Sequence, residues 1–393
     1  MRFSILLPTR NGGDFLENCV RSILEQDHDD FELLISDNAN TDATPEIIRQ
    51  FKDDSRVVVV RQDSPISVSE NWTAALQASC GDYILMMGDD DYLLPGTLRR
   101  LDDALVKYDE PDCILYNGHS YVAPNSVSDN PCSFYASPFF LFGPDFGCEG
   151  VIDHKQRMDI VFDMFRFKVR IPLNMQTTLF SRGAMERECD SVFRAPFPDH
   201  YLLNALLISA EKWVYLPDNL VVVGISPKSF GQYFYSQKAE AGLDYLGITT
   251  DFKGALPGSA LLNGMGAWLH DLKAEYPAEL KGIKMDWSGY VRRQAYSWLL
   301  QYRYGGIDRS QLISRFNNLS VKNWGRLFTS AYDAESWRRL GRMLFGKKSQ
   351  AESLLVALKP LPEVADIHEF SPVKSINDKR FGLHNNKFLN GSV

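Results

Sequence analysis

Short apolar runs alternate with helically spaced stripes through the first 120 residues, and this rhythm restricts the fold more than any other feature. Phe3 to Leu7, Phe31 to Ser36, Val57 to Val60, Tyr83 to Met87 and Cys113 to Tyr116 read as five strands. Between the first two, Phe15, Leu16, Cys19, Val20, Ile23 and Leu24 recur at helical spacing. Thr44 as N-cap, Pro45 at the first helical position and Glu46 open a second helix through about Phe51. Trp72, Ala75, Leu76 and Ser79 mark a third, and Leu98, Leu101 and Leu105 after Pro95 a fourth. Strands that alternate with helices imply a mostly parallel sheet covered on both sides. Val57 to Val60, β-branched throughout, is expected to be buried on both faces.

A dinucleotide-binding domain shares this rhythm, but the first strand-helix junction reads Pro8-Thr9-Arg10-Asn11-Gly12-Gly13-Asp14 and lacks G-x-G-x-x-G spacing. No G-x-x-x-x-G-K-[ST] phosphate loop occurs either.

Chemistry concentrates after the fourth strand, where Gly88 is followed by Asp89, Asp90 and Asp91. Like charges this close repel and raise one another's pKa, so the arrangement is costly unless a cation neutralises it. Oxygen-only ligands suit Mg²⁺ or Mn²⁺, which share their shell with substrate phosphates and water. In open α/β sheets ligands bind beyond the carboxyl ends of the strands, where this cluster belongs. The plainer alternative is a polar turn, since Asp accepts turn geometry and can cap the next helix.

The formal net charge of −8 argues against nucleic acid as a partner, because backbone binding needs a basic surface. The six cysteines form no C-x-x-C pair, which suits a reducing cytoplasm. A strand beginning at Arg2 leaves no room for a signal peptide, and no apolar run approaches the roughly 20 residues of a membrane span.

From about Tyr121 to Gly150 the rhythm breaks into Pro, Ser and Asn mixed with Phe134, Tyr135, Phe139, Phe140, Phe142 and Phe146. Such a connection is either a binding loop or an aromatic cover on the domain's flank. A helix over about Asp153 to Phe167 follows, then an apolar run from Met175 to Phe180, a helix after Pro198-Asp199-His200, and a strand from Leu220 to Val223. Beyond about Gly231 the pattern is helical, and the tail after Pro360 reads as irregular.

In order, strand-Pro8-Thr9-Arg10-Asn11, strand-Asp37-Asn38 with Asp42 downstream, Asn71-Trp72, and Tyr83 through the aspartates to Pro95 resemble a family 2 glycosyltransferase of the GT-A fold. The resemblance covers about residues 1–230 and implies an α/β, GT-A type sheet flanked by helices. It assigns nucleotide-sugar binding to about 1–120 and the acceptor side to about 121–230, with a mainly helical region over 231–393. By the same match Pro8, Thr9 and Arg10 line the nucleotide pocket, and Asp37 accepts a hydrogen bond from the base, typically uracil. Asn71 joins the donor site, and Asp89 meets the ribose or sugar. Asp90, with Asp91, holds Mn²⁺ or Mg²⁺, although Asp91 is also placed to cap the next helix. Members often read Asp-x-Asp-Asp here, and Gly88 stands where the first aspartate would be.

Asp199 matches the family's general base, and at the start of a helix the dipole favours its ionised form. Downstream, where members often carry an Arg or His pair, Lys228 is the local basic residue for the leaving diphosphate. The implied reaction is metal-assisted, inverting transfer from a nucleotide-diphosphate sugar, UDP-linked by this match, to a hydroxyl of a glycan or lipid-linked acceptor. A non-catalytic binding member and a sugar-phosphate nucleotidyltransferase are the alternatives. The latter normally begins with a Gly-rich basic loop, whereas Thr9 to Asp14 holds one basic residue. Trp337 to Lys348 is basic with an apolar face, suited either to peripheral contact at the inner face of a membrane or to packing on the protein body.

Overall fold

The computed structural model describes residues 2–126, 131–136, 148–168, 174–188, 192–229, 252–345, 358–361, 364 and 366–370. Strand β1 (Phe3–Thr9) is followed by helix α1 (Leu16–Leu24), β2 (Phe31–Asp37), α2 (Thr44–Gln50), β3 (Val57–Arg61), α3 (Val68–Ala78) and β4 (Tyr83–Met86). These four strands pair in parallel, in the order β3-β2-β1-β4. After the short β5 (Tyr92–Leu93) and α4 (Thr97–Lys107) comes the long β6 (Cys113–Val122). Then follow β7 (Ser133–Ala136), β8 (Gly150–Ile152), α5 (His154–Phe165), a 3₁₀ turn (Met175–Thr177), β9 (Thr178–Ser181), α6 (Arg182–Glu186), α7 (Pro198–Ser209) and β10 (Trp213–Ile225). β9 slots antiparallel between β4 and β6, and β10 runs parallel along the other side of β6.

Alternation along each strand builds two cores. Ile5, Leu7, Leu33, Ile35 and Leu85 point to one face, where Leu16, Cys19, Val20 and Ile23 of α1 and Leu98, Leu101 and Leu105 of α4 cover them. Leu6, Leu34, Ile84 and Met86 point to the other, covered by α3, α5 and α7. Truncating one of these fully buried leucines to alanine costs about 2–5 kcal/mol. The second core runs on into the helical region through Leu262, Met265, Trp268, Leu269 and Leu272 of α8 (Ala260–Glu275). That region continues as α9 (Trp287–Arg303), α10 (Arg309–Asn317), α11 (Val321–Phe328) and α12 (Ala334–Phe345). The expected α/β sheet with a mainly helical C-terminal region is therefore present.

Two expectations need correction, and the apolar run from Met175 gains a definite form. β3 is an edge strand, not one buried on both faces: Val58 and Val59 are exposed because the parallel order ends there. The span from Met175 opens as a 3₁₀ turn capped by the Asn174 side chain before β9 begins. The chain after Leu358 is not wholly irregular either. β11 (Lys359–Leu361) pairs antiparallel with β7, and Ile367 and Phe370 are buried against the sheet's end. Apolar side chains at that spacing need a surface to cover them, and Tyr92, Tyr121 and Val222 supply it. Of the aromatic connection, Phe134 lies buried with Val122, Ala136, Ile225 and Leu358, so there the flank-packing reading holds. Phe139, Phe140, Phe142 and Phe146 lie outside the described residues.

Candidate active site

Because β1, β2, β4 and β10 run the same way, Thr9, Asp37, Asp89–Asp91 and Ser226–Lys228 meet beyond their carboxyl ends. The Thr9 hydroxyl donates to Asp89 Oδ2 at 2.6 Å. Gly12 explains how the chain passes this carboxylate, since a Cβ there would lie 2.0 Å from Asp89 Oδ2. Asp90 Oδ2 accepts from the Ser226 amide at 3.0 Å. Asp91 is 1% exposed, and its two oxygens accept from the amides of Gly224 (2.8 Å) and Gly88 (2.5 Å). The carboxylates thus fasten the end of β10 to the loop after β4. Asp91 does not cap the following helix, whose N-cap is Gly96 in a left-handed conformation.

Burial comes first in raising these three carboxyls, their mutual repulsion adds to it, and the groups titrate near pH 7. The same burial and charges push the Cys19 thiol, which donates to the Gly88 carbonyl at 3.2 Å, well above its usual range. Crowding also accounts for Gly88: a Cβ there would come within 2.9 Å of Asp91 Oδ2, so an aspartate at this position would press on its neighbours.

Asp37 is buried and already engaged. Its Oδ1 accepts from the Asn40 backbone (2.9 Å) and side-chain (2.7 Å) nitrogens, and its Oδ2 from Arg61 Nη1 at 2.9 Å. A carboxylate offers about four lone-pair sites, so one further donor can be accommodated. Asn71 accepts from the Ser36 hydroxyl at 2.7 Å beneath the end of β2. Pro8 is half-buried and Arg10 exposed on either side of the buried Thr9.

Lys228 Nζ reaches across from the end of β10 to Asp14 Oδ2 (3.1 Å) and Asp42 Oδ2 (3.5 Å). Burial opposes its charge, but the two carboxylates outweigh burial and raise its pKa. Asp42 also accepts from the amides of Gly13 and Thr44, fixing the turns after β1 and β2 together.

Asp199 sits in the first turn of α7, behind Phe197 at φ 61°. Burial raises its carboxyl, against the helix dipole expected to keep it ionised, while His200 Nε2 at 3.9 Å opposes the rise. His200 stacks on Phe197 and meets Trp268 of α8 edge-on. Gly264 of α8 lies against Phe197, so the helical region supports the turn that carries Asp199. Among the described residues no hydrogen bond or ion pair joins Asp199 to the aspartate cluster.

A small cleft opens beside Asp90, lined by Asp14, Phe15, Tyr121, Gly224 to Ser226, Asp366 and Ile367. Asn18 Nδ2 donates to both oxygens of Asp366, at 3.1 and 3.2 Å. Sequence reasoning missed Gly12, Gly224, Ser226 and Asp366. Paired glycines after a strand are a legible sign of close approach, but nothing in residues 366–370 announces where they dock.

Comparison with known proteins assigns the N-terminal segment. The model of glycosyl transferase family 2 matches residues 4–127, the segment that carries β1 to β6 and the aspartates. Residues 4–127 belong to glycosyl transferase family 2. The chain is 25% identical over 222 residues to glycosyltransferase GlyG of Streptococcus pneumoniae serotype 4, covering 55% of this chain and 68% of that one. It is 35% identical over 128 residues to TuaG of Bacillus subtilis, provisionally named a teichuronic acid biosynthesis glycosyltransferase, covering 32% and 49%. A crystal structure of S. aureus TarS 1-349 in complex with UDP-GlcNAc is similar at a TM-score of 0.47 and 12% identity, covering 89% and 82%. With the family 2 segment in place the chain is a glycosyltransferase, and it carries a mixed α/β sheet flanked by helices.

Proposed function

We propose that this family 2 protein transfers a glycosyl group, with inversion, from a nucleotide-diphosphate sugar to a hydroxyl of a glycan or lipid-linked acceptor. One observation carries the reading. Thr9–Asp89, Asp90–Ser226 and Lys228 with Asp14 and Asp42 converge at a single sheet edge.

A divalent cation fits the donor set. Three adjacent carboxylates, two buried and Asp89 half-buried, titrating near pH 7 are costly unpaired, and oxygen ligands suit Mn²⁺ or Mg²⁺. Among the described residues no three acidic, His or Cys side chains form a ready cage, so diphosphate and water must complete the shell. Asp90, with one oxygen left by Ser226, is the ligand in this reading. Asp91 serves as anchor, because it is 1% exposed and each of its oxygens already holds an amide. When bound, the cation supplies Lewis-acid stabilisation of the leaving diphosphate.

The remaining roles fall to the chain itself. Asp37 offers its spare lone pair to an imide N–H of the base, which favours uracil, and Asn71 holds the strand end that presents it. Pro8, Thr9 and Arg10 border the nucleotide, and Asp89 orients the ribose or sugar. Lys228 contributes positive charge near the diphosphate. Asp199 takes the acceptor's proton, and the burial that raises its pKa makes it a stronger base. Most of the rate then comes from positioning and electrostatics. The enzyme would work in the cytoplasm, at the inner face of a membrane when the acceptor is lipid-linked. Among the described residues no helix is long and apolar enough to cross a membrane.

A nucleotide-sugar panel with Mn²⁺, read by transfer to glycan acceptors, tests the proposal. Asp90→Ala should abolish metal-dependent turnover, and Asp199→Asn should bind donor without transferring. Full transfer by Asp199→Asn would overturn the base assignment.

A further inference from the structure

α11 and α12 each carry an apolar stripe that is left exposed among the described residues. Inward, Trp324 and Leu327 pack against the cluster around Trp298, Ile307 and Leu319. Outward, Val321, Gly325 and Phe328 follow at i, i+4 and i+7, with Tyr332 in the turn beyond. The same spacing recurs in α12 at Trp337, Gly341 and Leu344, with Phe345 beside them. Val321 is 90% exposed, Tyr332 95% and Phe345 88%. A Cβ added at Gly325 or Gly341 would meet nothing within 4 Å, so both stripes face open space.

Charge identifies the occupant. Residues 321–345 hold five Lys/Arg against two Asp/Glu, in a chain that has 42 against 50 overall, and Lys322 and Arg338, next in sequence to Val321 and Trp337, are exposed. We propose that this face docks peripherally on an anionic lipid surface. Trp337, Tyr332 and Phe328 are suited to the headgroup–acyl boundary, and the basic residues to anionic headgroups. A second copy paired two-fold through the same face would set one basic surface against another. The surface is independent of the transfer reading, because it lies on α11 and α12 and shares no residue with the strand-end site.

Flotation of the full chain with phosphatidylcholine vesicles, with and without phosphatidylglycerol, tests the proposal. The protein should float with the anionic vesicles only, and salt should release it. Phe328→Ser/Trp337→Ser/Phe345→Ser should abolish flotation. Lys322→Glu/Arg338→Glu should weaken it by about tenfold or more, each basic residue near the surface adding to the attraction. Both variants should keep the wild-type circular dichroism and UDP binding, which separates failure here from failure of the nucleotide site. Absence of flotation by the wild type, equal flotation on neutral vesicles, or wild-type flotation by either variant would overturn the proposal. So would a dimer that the triple serine variant dissolves in the absence of lipid binding.

Discussion

Replacing Asp91 separates anchoring from metal binding more sharply than any other change at this site. Its carboxylate is fully buried and accepts two backbone amides, those of Gly88 and Gly224. Leaving a buried donor unsatisfied costs about 1–3 kcal/mol, so Asp91→Ala should cost about 2–6 kcal/mol. Asp90 accepts a single amide, from Ser226, and Asp90→Ala should cost only about 1–3 kcal/mol on the same basis. The comparison belongs at pH 5, below the pH near 7 at which the cluster ionises, so that relief of repulsion adds little. Urea unfolding gives the two stabilities, and calorimetric titration of Mn²⁺ in the presence of UDP gives the affinities. Asp91→Asn, which keeps one acceptor, should be intermediate in stability and bind Mn²⁺ nearly as the wild type does, whereas Asp90→Ala should lose Mn²⁺. An Asp91→Asn protein of wild-type stability that no longer bound Mn²⁺ would refute the anchoring argument.

Without metal the aspartates hold protons in the folded state up to pH near 7, but only to about pH 3.9 when unfolded. Stability should therefore fall as pH rises from about 4 through about 7. Differential scanning calorimetry should show a lower Tm at pH 8 than at pH 5, with a smaller difference in Asp90→Asn; a higher Tm at pH 8 would count against the raised pKa values. Gly224→Ala should misfold locally, because its Cβ would lie 1.7 Å from the Asp90 carbonyl oxygen, and wild-type amide-exchange protection at the end of β10 would contradict this. Lys228→Gln should weaken UDP binding by about tenfold or more through lost charge-assisted bonding. Its unfolding free energy should move by less than about 1 kcal/mol, since Lys228 is 40% exposed.

The sheet was legible because its strands are short, buried and set apart by amphipathic helices, a pattern that survives without any tertiary knowledge. Val57 to Val60 misled for a related reason. β-branched composition reports strand propensity, whereas edge or centre depends on what lies beyond, and among the described residues nothing pairs outside β3. The Asp cluster announced itself through like charges in sequence, yet division of labour within it did not. Which carboxylate anchors and which stays available is set by amides that arrive from Gly224 and Ser226, more than 130 residues downstream. Asp199 was singled out by its helix start, but its surroundings depend on the wider fold, with α8 packed against Phe197 and His200.

Asp366 meets Asn18 at a separation of 348 positions, and β11 completes the sheet margin beside β7. A growing chain would release the nucleotide half from the ribosome long before the piece that walls its cleft had been synthesised. During that interval Tyr92 and Tyr121 would be left bare, and chaperones have their opening there. Fragments cut after the family 2 segment should accordingly be prone to aggregate, however intact their parallel strands.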